Sequence, residues 1–432
     1  MYPHIKHVES DHTLPASADV VVIGGGIVGT CTAYFLAERG VEVVLLDKSG
    51  IAHEQSSRNW GWCRTMGRDL AELPLAIESL KLWDAWSHKL EHDTGFMRSG
   101  ILYACETEAE VSERAEWLKQ AGPLGATARL IDRNEMTRYL GNMPPVSWKK
   151  GLLAETDGRA EPDIATAAIA EGARARGAKL FSRCSARALG TQEGVVTSVL
   201  TERGEIRCQH VVVAAGAWSS LFCRNLGIRF PQLKVMGSVM RTAPLDGGPK
   251  GAVATSKVSF RKRADGGYTV AMRNTNIAPL VPDSFRYFND FLPMIRNHHQ
   301  EYRLRVNRHS WQELRTPTRW SNTAITPFET QRLYDPKPVD AFLDQALVIL
   351  AESFPVFADA KVEQRWAGLI DVTPDIVPVI DRVETLPGLY LASGFSGHGF
   401  GIGPGAGHLM ADIVTGTKPL VDPSLFRFER FA

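Results

Sequence analysis

The chain lacks any pairing pattern among its cysteines. Cys31, Cys63, Cys105, Cys184, Cys208 and Cys223 are scattered, with no CxxC. This spacing excludes a disulfide framework and a cysteine-built metal site, and reads as reduced, mostly buried thiols. An excess of either charge is also missing. Lys and Arg total 49 against 48 acidic residues, a net charge of +1, so no global electrostatic footprint for nucleic acid or an anionic membrane exists. No apolar run approaches the ~20 residues of a membrane span. The opening "MYPHIKHVESDHTLPASA" has no basic start, apolar core or small-residue cleavage site, and the expectation is a cytoplasmic protein. Finally, no G-x-S-x-G, HExxH or P-loop lysine occurs.

Glycine, by contrast, is concentrated in two places. The first is "ADVVVIGGGIVGTCTAYFLAERGVEVVLLDKSG". Val20 to Ile23 read as a buried parallel strand, and Gly24, Gly26 and Gly29 follow in GxGxxG spacing. A helical stretch closed by Gly40 and a second apolar strand ending at Asp47 complete the unit. Gly24 permits the tight turn, Gly26 the approach of a pyrophosphate, and Gly29 close packing of helix on sheet. The helix start then faces the phosphates, and Asp47 is placed to accept from a ribose hydroxyl. Strand, glycines, helix, strand and acid all fall in order, so a dinucleotide site is expected. The acid alone does not separate NAD from FAD.

The second concentration is "SGFSGHGFGIGPGAG", residues 393–407, preceded by the apolar strand "LYLAS". A helix is expected from about Pro404 to Thr415, with Pro404 in its first turn and Gly416 as its C-cap. Another strand, Val211 to Ala215, ends in Gly216. The nucleotide-binding unit is therefore assembled from separated pieces of chain. At 432 residues, 44% of them apolar, the chain exceeds one comfortable core, and two domains are expected.

Taken with "SSRNWG", "VVVAAGAWS", "DGRAEPDIATAAIAEGARARGAKL" and "WAGLIDVTPDIVPVID", these motifs resemble the D-amino-acid oxidase family of FAD-dependent oxidoreductases, which includes glycine oxidase, sarcosine oxidase and related amine dehydrogenases. The resemblance runs along nearly the whole chain. It implies an α/β fold: a Rossmann-like FAD-binding domain (18–74, 151–229 and 340–432) and a smaller α+β substrate domain with an antiparallel sheet (75–150 and 230–339). It implies FAD, held noncovalently, since neither His53 nor Cys63 sits in an attachment pattern. Cofactor contacts are expected from Gly24, Gly26, Ile27, Val28, Gly29, Asp47, Lys48, Ser56, Ser57, Arg58, Asn59, Gly61, Ala215, Gly216, Trp218, Trp366 and Gly368, and from Gly397, His398, Gly399, Phe400 and Gly401. The glycine loop would leave room for the flat flavin ring, and the helix after it would aim its positive end there. Thr373, Pro374 and Asp375 match a turn reaching the flavin.

The implied reaction is oxidation of the C–N bond of an amino acid or secondary amine by hydride transfer to flavin N5. The imine then hydrolyses to a 2-oxo acid or aldehyde plus ammonia or amine. Such chemistry asks for an anchor and walls rather than for a triad. Trp60 and Trp62 form either an aromatic wall or core packing. Arg64, Arg68 and Arg365 are candidate carboxylate anchors, or ordinary exposed arginines. His398 modulates flavin charge, contacts the substrate amine, or is a structural hydrogen-bonder. The expected partners are a small amine or amino acid and, as electron acceptor, oxygen, a quinone or a protein. Alternatives are the flavoprotein subunit of an opine- or hydroxyproline-type dehydrogenase complex, an NAD-dependent dehydrogenase, and a non-catalytic dinucleotide-binding protein.

Two features belong to the second domain alone. "VSFRKRADGGYTVAMRN" reads as a hairpin turning at "RADGG". Arg296, Arg303, Arg305, Arg308, Arg315 and Arg319 crowd one stretch, opposed by Glu301 and Glu313. They read as a solvated helix face, with a carboxylate pocket or an electron-acceptor docking face as the functional readings. Tyr302, Trp311 and Trp320 would permit nucleic-acid stacking, but nothing else supports it.

Overall fold

The computed structural model describes residues 2–141, 148–298 and 302–431. A six-stranded sheet runs in the order Val379–Arg382, Leu389–Ser393, His210–Val213, Val20–Ile23, Val43–Leu46, Lys179–Phe181. It is parallel except at Val379–Arg382. Its central strands are apolar on both faces because both are covered. Val20, Val22, Val43 and Leu45 enter one core, formed with the helices Ile27–Glu38, Ala165–Arg174 and Gly399–Thr415. Val21, Ile23, Val44 and Leu46 enter another, beneath a three-stranded antiparallel sheet that spans Ala186–Arg207.

A second, ten-stranded sheet packs beside the first. Its hairpin Val258–Lys262 to Tyr268–Met272 turns at the expected "RADGG". The division of the chain differs from the sequence reading in two places. Helix Leu73–Lys89 was expected in the substrate domain, but its Leu75, Ala76, Leu80, Trp83 and Trp86 belong to the core of the parallel sheet. Conversely, strand Val362–Val372 pairs along Leu233–Thr242 in the ten-stranded sheet, and Leu343, Ala346 and Leu350 of helix Asp340–Ser353 join that sheet's core. Apolar periodicity shows that a segment is buried, not which core buries it.

The C-terminal helix starts at Gly399 rather than near Pro404, which lies inside it. Proline removes one rung of the ladder. A second rung is replaced: Ser79 Oγ donates to Gly401 O at 2.9 Å and accepts from Gly405 N–H at 3.1 Å. The helix tolerates the interruption because its neighbour supplies the missing partner. Most of its glycines serve that neighbourhood and not an approaching ring. A Cβ on Gly407 would stand 2.4 Å from Cys31 Cβ and 2.6 Å from Thr32 N. The backbone there is bare so that two helices can cross closely.

Candidate active site

Two cavities meet at the C-terminal ends of the parallel strands, where open α/β sheets bind ligands. The smaller, about 120 Å³, is lined by Gly24, Gly26, Asp47, Lys48, Ser56, Ala215, Gly216 and Trp218. The larger, about 240 Å³, is lined by Arg58, Asn59, Trp60, Trp62, Arg64, Gly397, His398, Phe400 and Gly401. Gln55 lines both, and its buried Oε1 has no hydrogen-bond partner among the described residues.

At the smaller cavity the glycine turn is built as its spacing requires. Gly24 has φ +118°, and a Cβ on Gly29 would stand 1.9 Å from the Gly24 carbonyl oxygen. Ser56 Oγ accepts from Ile27 N–H at 2.8 Å, at the helix start. Asp47 accepts from Gly25 N–H at 2.8 Å and Ser49 N–H at 2.7 Å. Burial raises its pKa and those bonds lower it, with a net upward shift. Lys48 is committed to the protein, donating to Glu54 and to the carbonyls of Gln331 and Arg332 at 2.7–3.1 Å.

Several expected contacts are set back from both cavities. Arg58 lines the larger one, yet its guanidinium donates to the carbonyls of Tyr334 (2.9 Å) and Ala367 (3.0 Å). Trp366 is buried and donates to Arg58 O at 2.9 Å. Gly368 lies beneath Gln55 and Arg58, Gly61 against Ala160 and Arg261, and Gly399 against Phe395. Ser57 donates to Glu54 O, and Ile27, Val28 and Gly29 lie behind the turn in the helix core. Arg365 is a clear departure. It is paired with Asp340 at 3.0 Å and Asp344 at 2.5 Å, away from the cavities. Successive strand residues face opposite ways, so burying Trp366 in the core turns Arg365 toward helix Asp340–Ser353.

The larger cavity does gather the expected anchor and wall. Trp60 and Trp62 meet edge-on with centroids 5.7 Å apart, and Trp62 lies 6.3 Å from the Tyr103 ring. Arg64 and Arg273 stand 5.9 and 5.6 Å from the Tyr103 ring centre. Arg68, 4% exposed, also lines the cavity, and its Nε and Nη1 have no hydrogen-bond partner among the described residues. Burial, then Arg64, lowers its pKa to about 9. Glu72 lies 3.7 Å from Arg68 Nη1 and 3.0 Å from His398 Nδ1. Burial and Arg68 lower the His398 pKa to about 4. Burial would raise Glu72, but His398 and Arg68 outweigh it and hold it below the usual carboxylate range.

Tyr103 and Asn276, on strands remote in sequence, and Arg273 and Asn274, in the turn before Asn276, also reach this cavity and were not anticipated. The only local signal was "MRNTN", a polar run closing an apolar strand.

The family model DAO, FAD dependent oxidoreductase, matches residues 19–413. The chain belongs to that family. This oxidoreductase is similar in structure to an L-amino acid deaminase from Proteus myxofaciens in complex with anthranilate, with a TM-score of 0.96, 32% identity, and coverage of 99% of this chain and 97% of that one. It is 25% identical to sarcosine oxidase subunit beta from Arthrobacter sp over 96% of its own length and 91% of that protein. It is 23% identical to human mitochondrial dimethylglycine dehydrogenase over 94% of its length, and spans only 43% of that longer protein. The expected family and the fold of a parallel FAD-binding sheet beside a mixed antiparallel one are both borne out.

The residues present fit FAD. A glycine turn and helix start, an acid at the second strand end, and two connected cavities with an unpartnered Gln55 oxygen at their junction suit a long dinucleotide. Among the described residues no helix is long and apolar enough to cross a membrane, and no metal-binding cluster occurs.

Proposed function

We propose that this flavoprotein oxidises the α-carbon–nitrogen bond of a 2-amino acid with an apolar or aromatic side chain. The substrate loses two electrons and two protons to become a 2-imino acid, which water hydrolyses to a 2-oxo acid and ammonia. Bound FAD supplies the two-electron oxidant. The observation that carries this reading is Arg68, a buried guanidinium whose Nε and Nη1 have no hydrogen-bond partner among the described residues, with only the Glu72 carboxylate 3.7 Å from Nη1, beside a cavity that also holds Arg64 and Arg273. Buried guanidinium N–H groups left without hydrogen bonds are costly, and a substrate carboxylate would satisfy them bidentately. Trp60, Trp62 and Tyr103 supply an apolar, water-excluding wall for the side chain. The likeness to the deaminase holding anthranilate, an aromatic carboxylate, supports the same class.

Anaerobic bleaching of the bound flavin tests the assignment. Amino acids with apolar or aromatic side chains should bleach it, and amines lacking the carboxylate should do so far more slowly. Equal rates for acids and amines would overturn it. The flavin is held noncovalently on this reading, because Cys63 is fully buried and neither it nor His53 lines either of these two cavities. Acid precipitation should then release all flavin into the supernatant.

A second reading concerns the acceptor. Asn276 of the larger cavity pairs with Tyr302 at the start of an exposed strand carrying Arg303 and Arg305. Phe288, Leu304, Val306, Trp311 and Leu314 are exposed nearby. The arginine run is thus an exposed strand and helix rather than one helix face, and Glu301 lies outside the described residues. This surface favours transfer of electrons to a partner over oxygen. Turnover with an artificial acceptor that far exceeds turnover with oxygen would support it. Trp320 is unavailable for stacking, since its indole donates to Arg187 O and packs on Phe328.

A further inference from the structure

Glu72 has no role in carboxylate recognition, since its own charge would repel the substrate acid. Yet it is 0% exposed and stands beside the proposed anchor. Its two oxygens are used unequally. Oε2 meets His398 Nδ1 at 3.0 Å and approaches Arg68 at 3.7 Å, whereas Oε1 has no partner among the described residues. Such an acid is retained at a cost unless it does something a neutral residue would not.

Its effect on His398 is specific. An ionised carboxylate only accepts, so the hydrogen bond places the imidazole proton on Nδ1. The opposite nitrogen, Nε2, is then a lone-pair acceptor, and it has no hydrogen-bond partner among the described residues. His398 lines the same cavity as Arg64 and Arg68. An amino acid whose carboxylate sits on those arginines brings its ammonium into this cavity, and an ammonium cannot lose hydride until a proton has left it.

We propose that Glu72 is a positioning residue that fixes the His398 tautomer, so that His398 Nε2 takes the proton from the substrate ammonium. The inference rests on the amino-acid reading given above. The N–H bond of the ammonium breaks, its electron pair stays on nitrogen, and a new N–H bond forms at Nε2. The imidazolium is stabilised by Glu72, and its proton passes to solvent after the product leaves. The charged and titratable groups facing the ring are Arg64, Arg68 and Glu72, with Arg273 and Tyr103 across the cavity. The arginines disfavour a resting imidazolium and keep the base free; Glu72 makes the transient one tolerable.

Two variants of the FAD-loaded enzyme test this, with His398→Gln keeping Glu72 in place should Glu72→Gln fold poorly. Nitrogen-15 histidine spectra, with His398 assigned by its loss in His398→Gln, should show a neutral ring protonated on Nδ1 at neutral pH. In Glu72→Gln the two tautomers should mix. With a substrate amino acid, His398→Gln should lose kcat by about 100-fold at neutral pH. It should regain activity as pH rises toward the amine's own pKa, with KM changed less than about threefold. Glu72→Gln should lower kcat similarly and move the acid limb of the profile to lower pH. An Nε2-protonated or charged ring in the parent enzyme, or a loss in His398→Gln that is the same at every pH, would overturn the proposal. Should no amino acid bleach the flavin while the spectra are as expected, the substrate reading fails and not the Glu72–His398 coupling.

Discussion

The Arg261 guanidinium donates bidentately to the Glu161 carboxylate, Nη1 to Oε1 and Nη2 to Oε2, both at 2.9 Å. The pair is fully buried, and the remaining Arg261 nitrogen donates to the carbonyl of Trp60. Arg159 and the Ala264 N–H also donate to Glu161, each at 2.8 Å. One buried acid thus holds the backbone behind the aromatic wall of the larger cavity.

Replacing Glu161 with Gln leaves two buried guanidinium groups without their charge partner. Breaking such a pair costs about 3–5 kcal/mol, so the thermal midpoint of Glu161→Gln should fall clearly below that of the parent. Burial raises the Glu161 pKa, but Arg261, Arg159 and Arg263 outweigh it, so its folded value lies below the ordinary one. Its stabilisation is therefore full above about pH 4.3 and is lost as pH falls toward the lower folded value. Melting measured across that window should show a parent-minus-variant difference that shrinks with acidification. A constant difference would mean that Glu161 acts through shape alone.

Arg68 and Arg64 make a separable prediction. A charge-assisted bond at a buried site contributes about 1.5–3 kcal/mol. Arg68→Gln should accordingly reduce kcat/KM for an amino acid by at least tenfold. The amine lacking that carboxylate should be affected little. Arg64→Ala should raise KM for acids in the same sense but less, because Arg64 also donates to Met66 O at 2.6 Å. Equal losses on acids and amines would assign both arginines to structure.

What the sequence made legible was local. The turn Gly24–Gly29 and Asp47 form one continuous βα unit, so spacing alone placed Asp47 beside the helix start, and Gly25 N–H indeed meets its Oδ2. The cavity itself was only partly legible. Trp60, Trp62, Arg64 and Arg68 lie within one short segment, whereas Tyr103 lies on one strand of the ten-stranded sheet and Arg273 in the turn that follows another. Pairing register across that sheet is not written in any one strand. Arg365 failed for the same reason: its neighbour Trp366 fixes the phase of the strand, and the phase is set by what the opposite face must bury.

That strand phase can be tested directly. Among the described residues Arg365 pairs with two exposed carboxylates, Asp340 and Asp344, and such pairs contribute about 0–1 kcal/mol. Arg365→Ala should leave kcat, KM and the flavin spectrum unchanged and lower the melting temperature slightly. A rise in KM confined to carboxylate substrates would return Arg365 to the cavity.

The crossing of the two helices sets two opposed effects against each other at Gly407. Alanine is favoured over glycine in a helix interior by about 1 kcal/mol, so an unpacked position would gain stability from Gly407→Ala. Here the new Cβ would stand 2.6 Å from backbone atoms of Cys31 and Thr32, which cannot move without shifting the helix that begins at the nucleotide turn. Overpacking of this kind costs about 1–3 kcal/mol, so the steric effect should win. Gly416 provides the contrast, having φ +67° and nothing within 4 Å of a built Cβ, so Gly416→Ala carries only backbone strain. Denaturant unfolding should therefore rank Gly407→Ala as less stable than the parent, and its flavin affinity should fall, because the same helix carries Phe400 and Gly401 into the cavity. A Gly407→Ala protein as stable as the parent would mean the helices do not cross this closely.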